Sequence, residues 1–162
     1  MTRFTNMSFV EFGNCLQFRE MIMGPQSSTT NFLSFRVQGN EIPNCFNHQS
    51  VGSSISFWVG PGFPYFALCL VFGAKDEDGW FGCDVYISIN GRKQRFPNTG
   101  FSNLRYDHLW FYWNQDLFQR LFKDLNLGDR NHIELFCKTF RSDKHYTIPP
   151  KRIGVHVKCI CP

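Results

Sequence analysis

The sequence predicts a mainly β protein, a two-sheet antiparallel β-sandwich carrying one short N-terminal helix and one short inserted helix. Three observations point there. The 162 residues include 19 Phe, 5 Tyr and 4 Trp, so that 17% are aromatic against 19% charged, and such side chains fit a pleated sheet better than the turns of a helix. From Phe32 onward, short apolar runs are separated by Gly, Pro and Asn at short intervals, the spacing of an antiparallel all-β fold. No strand–helix–strand alternation of a parallel sheet is present. The length suits one domain with its own core, read as a leading segment, residues 1–31, and a sandwich, residues 32–162.

In chain order, NCLQFREMIMG (Asn14 to Gly24) offers Asn14 as an N-cap, apolar Leu16, Phe18, Met21 and Ile22, and Gly24-Pro25 as a stop, which predicts a short helix. Pro25 to Asn31 is a polar linker. FLSFRV (Phe32 to Val37) opens the strands. SISFWV alternates, with Ile55, Phe57 and Val59 facing one way, as a half-buried strand does. FALCLVF (Phe66 to Phe72) is apolar throughout and suits a central strand covered on both faces.

In CDVYISINGRKQRF, Asn90-Gly91 between extended runs signals a tight hairpin, with Val85, Ile87 and Ile89 on one face. DHLWFYW (Asp107 to Trp113) sets Leu109, Phe111 and Trp113 on one face. NQDLFQRLFKDLNLG places Leu117, Phe118, Leu121, Phe122 and Leu125 at helical spacing up to Gly128, an amphipathic helix over one end of the sheet. Ile133 to Phe140 and Arg152 to Ile160 complete seven or eight strands.

The net charge of +4 is scattered along the chain, unlike the concentrated cations that neutralise phosphates, so nucleic acid is not an expected partner. Seven cysteines, an odd number without C-x-x-C spacing, mostly sit in apolar runs and read as reduced, buried thiols. No secretory leader and no apolar run near the length of a membrane span is visible. The expectation is an intracellular protein, cytoplasmic and/or nuclear, without a membrane partner.

Catalysis finds little support. Cys45 and His48 have the composition of a thiol site, yet such a site needs alignment and an orienting third group, and Ile42 and Phe46 around Cys45 call for burial. Cys159 and Cys161, two apart on a strand, would share a face with Ile153, Val155 and Val157 while His156 points away, and no second ligand pair is found. Asp76, Glu77 and Asp78 read as a solvated turn. No catalytic, cofactor-binding or metal-binding residue is assigned.

The segment Val37 to Val59, VQGNEIPNCFNHQSVGSSISFWV, resembles the start of the C-terminal jelly-roll/Ig-like domain that follows the leucine-rich repeats in plant TIR-type nucleotide-binding immune receptors. The match rests on Glu41, Ile42 and Pro43, on Phe46, on His48, Gln49 and Ser50, and on Gly52, Ser53 and Ser54. It extends to GFPYFALCLVF, DHLWFYW and the closing IGVHV. Cys45 stands where the family usually carries Trp and Gln38 where it usually carries Pro.

The resemblance makes residues 1–31 the connection from the last repeat. It implies a fragment of a longer receptor whose work is recognition: contact with a pathogen effector protein beside the leucine-rich repeats of the same receptor. The residues of the Glu41–Ser54 corner are expected to be architectural. Loops at sandwich ends are where partners are read, so the candidate contacts are Asp76, Asp78, Trp80 and Phe81 in Gly73 to Gly82, and Phe101, Arg105 and Tyr106 in Asn98 to Tyr106. The rival is a carbohydrate-binding jelly-roll module, which would show a flat row of solvent-facing aromatics such as Trp58, Trp110 and Tyr112.

Overall fold

The structure is a computed structural model describing residues 32–61, 63–74, 80–96, 99–102, 105–141 and 149–160. The helix expected from Asn14 to Gly24 lies outside the described residues. Ten strands and one helix are found among those described. They are β1 (Phe32–Gln38), β2 (His48–Val51), β3 (Ser54–Val59), β4 (Phe63–Phe72), β5 (Trp80–Ile89), β6 (Arg92–Arg95), β7 (Thr99–Ser102), β8 (His108–Asn114), α1 (Gln115–Phe122), β9 (Asn131–Arg141) and β10 (Arg152–Ile160). Two sheets result, ordered β1-β8-β4-β10-β2 and β3-β9-β5-β6, with β7 beside β5. Every pairing is antiparallel.

The inner core draws from both sheets, with Phe66, Leu68 and Leu70 of β4 joining Val85 and Ile87 of β5 and Leu135 of β9. Alternation places them there: β3 buries Ile55, Phe57 and Val59 and exposes Ser54, Ser56 and Trp58. The alternate residues of β4, Ala67, Cys69 and Val71, face the other way into a second core with Leu109, Phe111 and Trp113. The run Phe66 to Phe72 is therefore buried on both faces, the reason it can be apolar throughout. β8 is also buried on both faces, with Trp110 and Tyr112 in the inner core.

Asn90 (φ 51°) and Gly91 (φ 86°) both take positive φ, as a type I′ turn between β5 and β6 requires. Asn90 does more than turn. Its side chain accepts from the His132 N–H at 2.8 Å and donates to Asn131 Oδ1 at 2.9 Å. Fully buried Asn131 in turn donates to the Gly60 and Gly128 carbonyls, both at 3.0 Å, and accepts from the Gly128 N–H at 2.9 Å. A buried amide with its bonds made ties three chain segments together, those bonds offsetting its desolvation.

Four expectations need correction. The inserted helix is shorter than its apolar spacing suggests. Asn114 caps it by accepting from the Leu117 N–H at 3.0 Å, but it stops at Phe122, where the Leu125 N–H closes a tight turn onto the Phe122 carbonyl at 3.1 Å. Leu117, Phe118 and Phe122 are buried in the inner core, and Leu121, Leu125 and Leu127 pack against it. Secondly, His48 to Val51, part of the expected corner, is an edge strand paired with β10; a half-exposed edge needs no apolar alternation. Thirdly, Trp80 to Gly82, read as loop, opens β5. Fourthly, Thr99 to Ser102 is a strand of its own, pairing with that opening.

Candidate recognition surface

Within the Glu41–Ser54 corner, residues 41–46 form a lid on the outer face of the first sheet. Pro43, Asn44, Cys45 and Phe46 form a turn closed by the Phe46 N–H on the Pro43 carbonyl at 3.0 Å, and Gln49 Nε2 donates to the Phe46 carbonyl at 3.1 Å. The turn drives Ile42 and Phe46 down onto the sheet, where both are buried and the Phe46 ring lies 5.7 Å from that of Phe111. Below them runs Gly154 of β10. A Cβ there would stand 2.7 Å from Ile42 Cγ2 and 3.2 Å from Phe46 Cβ, so only glycine lets the corner seat. The ring of His156, two residues on, donates from Nδ1 to the Cys45 carbonyl at 2.8 Å, which fixes that nitrogen as protonated.

Cys45 and His48 stand in different layers. Cys45 packs with the outer core, whereas His48 stacks on Phe57 of the inner core at 4.2 Å and 14°. Burial pushes the Cys69 thiol well up, with Cys45 adding to the effect, so the neighbourhood disfavours a thiolate. Ser50 is half-buried, and Gly52 (φ 97°) and Ser53 make the turn into β3, the Gly52 N–H bonding the Lys151 carbonyl at 2.8 Å. Glu41 is exposed.

The described backbone at the ends of the two chosen contact segments is joined in a way the sequence does not show. Both connections that carry them cross between the sheets, from β4 to β5 and from β7 to β8. At one end, Asp107 accepts from the Ala74 N–H at 2.8 Å and from Lys151 Nζ at 3.3 Å, and the Ala74 bond, then Lys151, holds its carboxyl below the usual range. At the other end the backbone pairs Trp80 with Ser102, and Phe81 with both Phe101 and Arg141. The two segments are thus fastened to each other at both described ends. Arg105 is exposed and Tyr106 is 64% exposed. Asp76 and Asp78 lie outside the described residues.

The aromatic row of a sugar-binding face does not form. Trp110 and Tyr112 are 2% and 6% exposed, in the inner core, and Trp110 Nε1 donates to Ser34 Oγ at 2.9 Å. Trp58, 55% exposed, stands on the other sheet. No group of three or more His, Cys, Asp or Glu suited to a metal ion occurs among the described residues, and no described helix is long and apolar enough to cross a membrane.

Two histidines give the fold a pH dependence. Burial lowers the pKa of His48 and of His108, which stacks on Phe72 at 5.4 Å. A histidine with a lowered folded-state pKa contributes stability that is whole above its unfolded value and shrinks as pH falls through and below it. The denaturation midpoint is expected to decline from about pH 6.5 downward, and His108→Gln to flatten that slope in urea titrations repeated across the range.

The C-JID domain family model matches residues 37–156 of the 162. No curated protein matches the chain. The matched stretch runs from the residues entering the corner to His156 beneath it, so it contains the lid and the strand on which the lid sits.

Proposed function

This chain belongs to the C-JID family, the C-terminal jelly-roll/Ig-like domain of plant TIR-type nucleotide-binding leucine-rich-repeat immune receptors, and from that premise we propose that it is a non-catalytic recognition module. Acting beside the receptor's leucine-rich repeats, it binds a pathogen effector protein and so contributes to receptor activation. In this reading the two sheets form a jelly-roll sandwich around the inner core, and the molecule works inside the cell, in the cytoplasm and/or nucleus, without nucleotide, metal or cofactor of its own.

The observation that carries the proposal is the fastening of the described ends of two connections between the sheets, through Ala74 and Asp107 at one end and Trp80 and Ser102 at the other, with Arg105 and Tyr106 exposed nearby in sequence. Segments held by a rigid scaffold can change their contact residues without disturbing a core. Arg and Tyr dominate interface energetics when a partner desolvates them.

The experiment is a cell-death assay in leaves, with a receptor carrying this domain co-expressed with its matched effector. Arg105→Glu with Tyr106→Ala is expected to lower effector binding by roughly 10-fold or more and to abolish the response while thermal stability stays that of the parent. An undiminished response in that variant overturns the assignment of these residues.

A further inference from the structure

The two sheets treat their outer faces differently. The first packs Ile42 and Phe46 of residues 41–46 onto its outer face, whereas the outer face of β3-β9-β5-β6 is largely exposed among the described residues. Registered across its strands, one row reads Ser56, Glu134, Ser88, Lys93 and the next Ser54, Phe136, Tyr86, Arg95. Phe136 is 42% exposed, and with Tyr86, Lys93 and Glu134 it borders an open groove of about 650 Å³. Trp58 stands farther along the same face, with Arg130 4.9 Å from its ring centroid.

Charge selects the occupant. The face carries Lys93, Arg95, Arg130 and Lys138, all exposed, against the carboxylates of Glu134 and Asp84. Asp84 is buried and bonded to Arg95 at 2.9 Å, leaving Glu134 as the exposed anion of the strands, while exposed Asp129 adjoins Arg130. Residues 1–31 contain two Arg and two Glu and offer no acidic excess to match it, and the chain as a whole is at +4, which disfavours a second copy. A sugar wants a bare aromatic face, whereas Trp58 is flanked by Arg130 and by His132 at 4.7 Å.

Resting on the recognition reading above and extending it, we propose that this open face is a second protein-docking surface, fitted to a partner that presents acidic side chains around an apolar or aromatic residue. The apolar residue enters the groove against Phe136 and Tyr86. The acidic groups meet Lys93 on one side and Lys138 on the other. Exposed aromatics with cations in excess around them, here Lys93 and Lys138 against Glu134, give both an anchor and a steering field.

The chain, immobilised, is panned against a phage-displayed library of short random peptides. The proposal expects enriched peptides rich in Asp and Glu about a large apolar residue, with affinity that falls as salt rises. It expects their binding to weaken about 10-fold or more in Lys93→Glu with Lys138→Glu, and likewise in Phe136→Ser, each of unchanged melting temperature. Absence of enrichment, or peptides indifferent to these variants, overturns it. Peptides lost only in Arg105→Glu with Tyr106→Ala overturn this face and leave the recognition reading standing. Glycan-array binding sensitive to the face variants overturns it in favour of a sugar. A zero-length cross-link from Lys93 or Lys138 to Glu11 or Glu20 overturns it in favour of the chain's own leading segment, and sedimenting dimers broken by the charge reversals overturn it in favour of a second copy.

Discussion

Phe46→Ala is expected to destabilise the protein by about 3–5 kcal/mol, the range for truncating a fully buried aromatic side chain. Phe46 is 1% exposed and fills the space between the corner and the outer face of the first sheet, against Phe111 and the edge of His156. Its backbone N–H closes the Pro43 turn, so the ring cannot be replaced by sliding the segment without breaking that bond. The cavity would open over Cys69, Leu109 and Phe111, residues whose burial depends on the lid. Urea denaturation of the variant measures the loss; a shift smaller than about 0.5 kcal/mol, the size of an ordinary surface change, would mean that the corner is not the cover described.

Gly154→Val attacks the same seat from below. Its first added carbon would meet Ile42 Cγ2 at 2.7 Å, inside van der Waals contact, so the lid must lift or β10 must sink. Overpacking of a closed core costs about 1–3 kcal/mol, and the extra valine methyls push toward the upper end. The discriminating feature is rescue. Shortening Ile42 to Ala destabilises the parent protein, but in Gly154→Ala it removes the collision, so the two changes together cost less than their sum. Strict additivity, measured by denaturation of both singles and the double, would show that the contact is not made.

Much of this architecture is legible in the residues. Alternation sets the inward faces of β3 and β5, the unbroken apolar run of β4 announces a strand covered on both sides, and Asn90-Gly91 announces the hairpin. What misleads is chemistry supplied by a neighbour. β2 is polar because it is an edge, and β7 carries no pattern of its own because β5 supplies its hydrogen bonds. Trp110 and Tyr112 look outward-facing when β8 is read as half-buried, and only the two-layered core shows why both faces of that strand are apolar.

For the candidate site, the apolar Ile42 and Phe46 about Pro43 are a local signal of a buried turn, but nothing local signals its floor. The need for glycine at position 154 exists only once Ile42 and Phe46 are placed above it. Asn131 is likewise invisible as a single polar residue at the start of a strand, because its partners, Gly60, Asn90 and Gly128, come from three separate segments. The pairing of the two candidate contact segments is a long-range register, which no local pattern encodes. The open face of the second sheet does carry a local signal, in the outward Trp58 and Phe136, but exposure alone names no partner without the charges around it.

The central claim is that this domain recognises and does not catalyse. Cys45→Ser tests it directly, because serine keeps the shape of the corner while removing the thiol that stands three residues before His48. In the leaf cell-death assay, with melting temperature recorded for each protein, the account predicts a response to effector equal to the parent's for Cys45→Ser and none for Arg105→Glu with Tyr106→Ala. Loss of the response in a fully folded Cys45→Ser protein, with the Arg105 and Tyr106 variant still active, would contradict it and place chemistry at the corner.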